Sequence, residues 1–415
     1  MIVPGPRMTI VDGGRRWTAR ATSVAGIETE LSRIWGAAAR ESHEADLSAR
    51  EHATALGDPH LAGRLDRPGD VRVRTRTSVL TLVVLAERPE TAERALGAVN
   101  ELSARHPSRV LILAPGDPDG PAWIDARISA HCRIAGQGGA ETCTEQILVR
   151  TGGEIDQHLA ELVQPLLIHD LPVVLWWPDD PPIGRGRFGG LIGACDRLVV
   201  DSGAFGDAGR ARLAGLAALC AAGRPVIHDI GWMRLRLWRE LLAGLFDHPL
   251  LGPELARVRS LRLDVLRPGE TLRLTRAGLL AGWLAGALGW TVSEPLAPRR
   301  GSDVLVGALR AEGGDVHLEV RPVPPESAGR PRSSGSLLCV ELESGGRGHD
   351  VRARVTRQRD HLLATADRSG VEVCRRAGRL EAFSEAPYLA QALEDAASDH
   401  VLTRSIESAV PLLGR

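Results

Sequence analysis

Several residue groups have types and spacings that could do chemistry. Asp179-Asp180 follow the Trp176-Trp177 pair, and adjacent carboxylates after an apolar run could hold a divalent cation. Asp-Pro repeats also make ordinary turns. Gly184-Arg185-Gly186-Arg187-Phe188-Gly189 matches G-x-G-x-x-G in letters. A dinucleotide site needs that loop straight out of a strand, with an acid about 20 residues on. Here PDDPPI intervenes and Asp201 comes too soon, so a Gly/Arg loop is the simpler reading. His169-Asp170 and His228-Asp229 are His–acid neighbours at element ends, as turn histidines also are. Cys132 and Cys143 flank a Gly-rich turn and are a candidate redox pair, with two free, half-buried thiols as the simpler alternative.

Other chemistry is excluded by what the chain lacks. All 51 basic residues are Arg. Without lysine there is no phosphate loop ending in Lys, no Schiff base and no kinase-type phosphate-pairing Lys. The six Cys have no C-x-x-C spacing, and neither H-E-x-x-H nor G-x-S-x-G occurs, so no metal, cofactor or catalytic residue is expected. Balanced charge, 51 basic against 52 acidic side chains, argues against nucleic acid as a partner. The longest apolar run, 277–290, is too short to span a bilayer, and the first residues lack a signal peptide's apolar core. A cytoplasmic location is the expectation.

The elements that must position these residues emerge from periodicity. Residues 24–55 predict a helix, and 56–69 a linker. Apolar runs at 79–85 and 110–113, with a helix opened by Pro89 between them, give βαβ grammar. Residues 122–134 and 143–150 predict an antiparallel hairpin or arm. Then come a helix 154–168, strand 173–177, helix 188–194, strand 197–200, helix 207–222, run 225–227 and helix 232–246. Beyond Pro249 a strand at 258–265 and a helix at 275–289 precede short strands at 304–310, 316–323, 337–342, 351–355, 361–364 and 371–374, which predict an antiparallel sheet. One or two helices end the pattern at 386–413. The expected class is α/β: a Rossmann-like, mostly parallel sheet with flanking helices, an N-terminal helix, and a C-terminal α+β part. The expected segments are 1–69 (helix and linker), 70–250 (α/β) and 251–415 (α+β).

One block stands out. In DIGWMRLRLWRELLAGLFD (229–247), Trp232, Leu235, Trp238 or Arg239, Leu242 and Leu245 form an apolar stripe, while Arg234, Arg236 and Glu240 project elsewhere. A core helix gives this pattern, and paired Trp beside Arg also match interface anchors. Together with TSVLTLVVLAE (77–87), CTEQILV (143–149), LPVVLWWPDDPP (171–182) and CDRLVVDS (195–202), the block resembles the glucose-6-phosphate dehydrogenase assembly proteins, the OpcA family. The motif maps onto Asp229, Trp232, Arg234, Leu235, Trp238, Arg239 and Glu240. The chain departs from the family at Gly231, Met233, Arg236-Leu237 and Cys143-Thr144.

The resemblance implies a non-catalytic partner of glucose-6-phosphate dehydrogenase, promoting its assembly or raising its activity in the oxidative pentose phosphate pathway. The expected partner-binding or motif residues are Trp176, Trp177, Asp201, Ser202, Asp229, Trp232, Arg234, Trp238, Arg239 and Glu240. The alternative is a sugar-phosphate or sugar-nucleotide enzyme using Asp179, Asp180 and the Gly184–Gly189 loop. Oligomeric state is not legible.

Overall fold

Ile27, Leu31, Ile34 and Ala38 recur on one side of α1 (Val24–Ala55), and all four are buried. That helix is the one expected at 24–55. The computed structural model describes residues 6–11, 14–55, 78–103, 105–134, 141–183, 189–325, 334–345, 350–380 and 384–414. The linker expected at 56–69 lies outside them. Internal contacts divide the chain into two compact units. The first is Met1–Pro178, Arg185–Leu198 and Leu389–Glu394; the second is Asp179–Gly184, Val199–Tyr388 and Asp395–Arg415.

In the first unit, β3 (Thr81–Leu85) and β4 (Arg109–Pro115) are apolar runs joined by α2 (Pro89–Leu102), whose Pro sits in the first turn. β3 pairs in parallel with β4 and with β7 (Val173–Trp177), and β4 with β6 (Glu141–Gly152). β5 (Trp123–Ile134) is antiparallel to β6, as the hairpin reading expects. Two strands were not expected: β1 (Arg7–Val11) and β2 (Gly14–Ala21) add antiparallel ladders beyond β5. The order in this unit is β1-β2-β5-β6-β4-β3-β7, so the sheet is mixed, with its parallel part around β3 and β4. The helix expected at 154–168 is broken. Only α3 (Leu159–Val163) is α-helical, flanked by 3₁₀ turns, and Pro165 lies where an α-helix would need its N–H.

A buried ion pair ties α1 to this sheet. Arg109 Nε donates to Glu145 Oε2 at 2.7 Å and its Nη1 to the Leu166 carbonyl at 2.8 Å. The Trp35 indole of α1 donates to Glu145 Oε1 at 2.6 Å, and Glu28 adds an ion pair to Arg109 at 3.4 Å. Both carboxylate oxygens are therefore occupied, as burial demands.

Chain alternation continues through α4 (Gly189–Gly193), β8 (Arg197–Val200), α5 (Gly209–Ala222) and β9 (Val226–Asp229). The helix expected at 232–246 is two, α6 (Ile230–Met233) and α7 (Arg236–Phe246). The second unit carries an eight-stranded sheet of β10 (Val258–Leu266), β11 (Thr291–Pro298), β12 (Leu305–Ala311), β13 (Gly314–Val323), β14 (Leu337–Ser344), β15 (Val351–Arg357), β16 (His361–Arg368) and β17 (Val371–Arg379). Its order is β11-β12-β13-β10-β14-β15-β16-β17. A wholly antiparallel sheet is corrected here: β10 and β13 are parallel, because α8 (Thr275–Leu288) and the β11–β12 hairpin intervene between them. α9 (Ala386–Glu394) and α10 (His400–Leu412) are the last helices among the described residues.

The compact units cut across the expected 70–250 and 251–415 segments. α7 packs on β15, β16 and β17, so residues 199–250 share the second unit with that sheet.

Candidate functional site

β9 ends in Asp229, and that carboxylate organises the turn into α6. Its Oδ1 accepts the backbone N–H of Gly231 at 2.8 Å, capping α6, and the N–H of Ser202 at 2.8 Å. Asp201, at the end of the β8 segment, caps the neighbouring 3₁₀ turn by accepting the Gly203 N–H at 2.9 Å. Its second oxygen pairs with Arg234, and Arg276 of α8 approaches at 3.9 Å. Arg234 and Leu235, the two residues between α6 and α7, keep right-handed helical dihedral angles, and the Leu235 N–H turns to the Trp232 carbonyl at 3.0 Å, a tightened turn from which the Arg234 side chain reaches the acid. The Thr275 hydroxyl donates to the Ser202 carbonyl at 2.6 Å. Two glycines permit the packing: a Cβ on Gly203 would meet the Arg276 guanidinium, and one on Gly231 the Ser202 hydroxyl.

The two acids differ in charge state. Burial alone would raise Asp201, but Arg234 and Arg276 outweigh it and hold its carboxyl below the ordinary range. Burial pushes Asp229 up to about 6, with Asp201 adding to the rise, against the Ser202 hydroxyl and backbone N–H groups that favour its charged form. Ser202 and Asp229 are 0% and 1% exposed, so neither meets a substrate from solvent. The Arg234 guanidinium lies 5.4 Å from the centre of the Tyr388 ring.

The rest of the block is spent inside the unit. Trp232 donates its indole N–H to Asp399 Oδ2 at 2.7 Å, while Asp399 Oδ1 caps α10 through Val401 and Leu402. Arg239 stacks over the Trp232 ring at 3.3 Å, and burial pulls its pKa down to about 10. Trp238 is buried in the core. The solvent face of α7 is instead Arg236, Glu240, Ala243 and Asp247 at helical spacing, with Arg236 and Glu240 paired at 3.6 Å.

The other expected residues fall elsewhere. Trp176 and Trp177, expected as partner-binding or motif residues, are both 0% exposed at the end of β7, a strand buried along most of its length, so they offer no ring to solvent. Asp180 pairs with Arg212 at 2.9 Å and accepts the Gly206 N–H at 3.3 Å, and Asp179 is buried. No three His, Cys, Asp or Glu cluster as metal ligands among the described residues. Residues 184–188 of the Gly-rich motif lie outside those residues. Cys132 and Cys143 are not free thiols; directly opposed on β5 and β6, they form a disulfide with Cα atoms 4.0 Å apart. The free thiols of Cys195 and Cys339 are pushed up to about 12 and about 11 by burial, which makes them poor nucleophiles. Sequence reasoning missed Thr275 and Arg276, in the first turn of α8, and Asp399, the cap of α10; polar side chains at helix starts carry no local signal of a long-range partner.

This combination of a mixed α/β sheet and a motif-bearing second unit is that of a two-part family. Residues 99–217 match the model described as "Glucose-6-phosphate dehydrogenase subunit N-terminal domain" and residues 225–406 the one described as its "C-terminal domain". The chain belongs to the OpcA glucose-6-phosphate dehydrogenase assembly family. It is similar to the OxPP cycle protein OpcA of Nostoc punctiforme, 29% identical over 308 residues, covering 70% of this chain and 63% of that protein. The OpcA of Synechocystis is 24% identical over 326 residues, covering 73% of this chain and 67% of that protein. The chain thus matches less than two thirds of the Nostoc relative's length. Among solved structures, the WlbA dehydrogenase of Thermus thermophilus, in complex with NAD and UDP-GlcNAcA, is 13% identical with a TM-score of 0.43, covering 81% of this chain and 95% of that one. A likeness of that size carries no argument about activity. No helix among the described residues is long and apolar enough to cross a membrane.

Proposed function

We propose that this protein is a non-catalytic cytoplasmic partner of glucose-6-phosphate dehydrogenase that promotes its assembly or raises its activity in the oxidative pentose phosphate cycle. The observation that carries this reading is the match of both family models, in order, over 99–217 and 225–406. The geometry supports a protein–protein role. The motif acids and tryptophans are consumed by internal contacts, which leaves Arg236, Glu240, Ala243 and Asp247 as the face that the block offers to a partner. The buried residues Trp232, Trp238, Arg234 and Arg239 then brace that face, and Trp176 and Trp177 the first unit's core. The Cys132–Cys143 link is the redox element in this reading, since opening it frees the end of the β5–β6 hairpin.

The test mixes the purified chain with its cognate dehydrogenase and tracks NADPH formation and native mass. Co-migration with raised or more fully assembled dehydrogenase is expected, altered by reduction of the disulfide. Separate migration and unchanged activity would overturn the reading. Turnover of a sugar phosphate by the chain alone, lost in Asp179→Ala, would favour the enzyme alternative.

A further inference from the structure

β1 is the outermost strand in the first unit's order, and its far side meets no strand among the described residues. Edge strands are ordinarily protected by charge, proline or a bulge, because unpaired backbone groups template further pairing. Here the edge carries two of the most exposed large apolar side chains among the described residues, Met8 at 43% and Ile10 at 74%. Its ladder to β2 runs without a register shift.

The parity of that ladder decides which backbone groups face outward. Val11 opposes Gly14 across a two-residue connection, so the pairs 11/14, 9/16 and 7/18 exchange hydrogen bonds and the pairs 10/15 and 8/17 do not. Met8 and Ile10 therefore turn their N–H and C=O groups to the open edge. Their side chains lie on the same sheet face as Trp17, which opposes Met8.

We infer that β1 pairs antiparallel with β1 of a second copy of this chain, about a two-fold axis at Thr9. In that register Met8 opposes Ile10 of the other copy, twice, giving four backbone hydrogen bonds and two apolar cross-strand contacts on one face. Arg7 opposes Val11, so no like charges meet. A two-fold at Met8 would instead set Ile10 against Pro6, which has no N–H to give. The occupant is a second copy because the strand is complementary to itself in apolar pairs, hydrogen-bond parity and charge at once. A five-residue strand is a small contact, so the association is weak and concentration-dependent.

Sedimentation of the whole chain across micromolar to millimolar concentration, with Thr9→Cys crosslinking under mild oxidation, tests this. Thr9 faces its own copy in a non-hydrogen-bonded pair, where Cα atoms are about 4.5 Å apart. Thr9→Cys is expected to give a covalent dimer that Arg7→Cys does not, the wild-type chain serving as control. Ile10→Pro, which removes an outward N–H and the apolar side chain but no ladder bond to β2, is expected to weaken self-association at least about tenfold. Ile10→Arg, a change on an exposed side chain that leaves the fold intact, should do the same if the proline perturbs β1. A wild-type chain that stays monomeric throughout, or crosslinking at Arg7→Cys rather than Thr9→Cys, overturns the proposal. So does capture of the edge by another protein's strand in place of self-pairing.

Discussion

Each unit buries a charged cluster, and the two are built on opposite terms. In the first, Arg109 and Glu145 are the buried cation and anion, the half-buried Glu28 adds a second anion to Arg109 from outside, and a neutral donor, the Trp35 indole, takes the remaining Glu145 oxygen. In the second, two carboxylates share one neighbourhood with two guanidiniums, and the ionised state is divided unequally. Asp201 takes the cations, whereas Asp229 holds only backbone N–H groups and a hydroxyl and is lifted towards neutrality. A buried acid can thus fasten a fold or titrate within it, and the stoichiometry of its partners decides which.

The contrast breaks most visibly at Arg109. Arg109→Ala leaves Glu145 buried without its cation and should cost about 4–5 kcal/mol of unfolding free energy, read by denaturant titration. Arg234→Ala should cost less, about 3 kcal/mol, because Arg276 still faces Asp201 and Arg234 is partly exposed. Asp229→Asn sharpens the contrast through pH. A carboxyl whose folded pKa lies above its unfolded value binds more protons when folded, so its contribution to stability falls as pH rises from about 4 through about 6. Asn keeps the capping oxygen. The variant should therefore gain on the wild-type chain by about 2 kcal/mol between pH 4 and pH 7, whereas a constant difference would show that Asp229 does not titrate there. The smallest effect on stability is expected for Glu240→Ala, under about 0.5 kcal/mol for an exposed i,i+4 pair. In the proposed partner assay it should nevertheless weaken dehydrogenase binding at unchanged melting temperature.

Much of the fold was legible in the sequence where one physical requirement dominates. The VVLWW run reads as a strand and the stripe Ile27, Leu31 and Ile34/Trp35 as a helix, and both are so. β2 escaped notice because Arg15, Arg16 and Arg20 interrupt an alternation that has a single large apolar residue, Trp17. β11 carries two prolines and is largely exposed, so it shows neither pattern nor hydrophobicity. The break after α6 was hidden for a different reason. Periodicity runs unbroken through Arg234, and the interruption is only a tightened turn at 234–235 whose residues keep helical dihedral angles, so the apolar pattern does not register it. The motif's composition pointed to the right block, but which of its residues face inward depends on β15, β16 and β17, far away in sequence.

Asp399 has a consequence in time as well as in space. The Trp232 indole is held by a carboxylate 167 residues further along the chain, and the same carboxylate starts α10. During synthesis, at about 5–20 residues per second, the indole emerges on the order of ten to thirty seconds before its acceptor exists. The motif block must pass that interval incomplete, with a large aromatic side chain awaiting its partner. The second unit can therefore close this contact, and start α10, only once residues 399–412 have been made, so the last stretch of chain to be synthesised completes the environment of a motif residue made long before it.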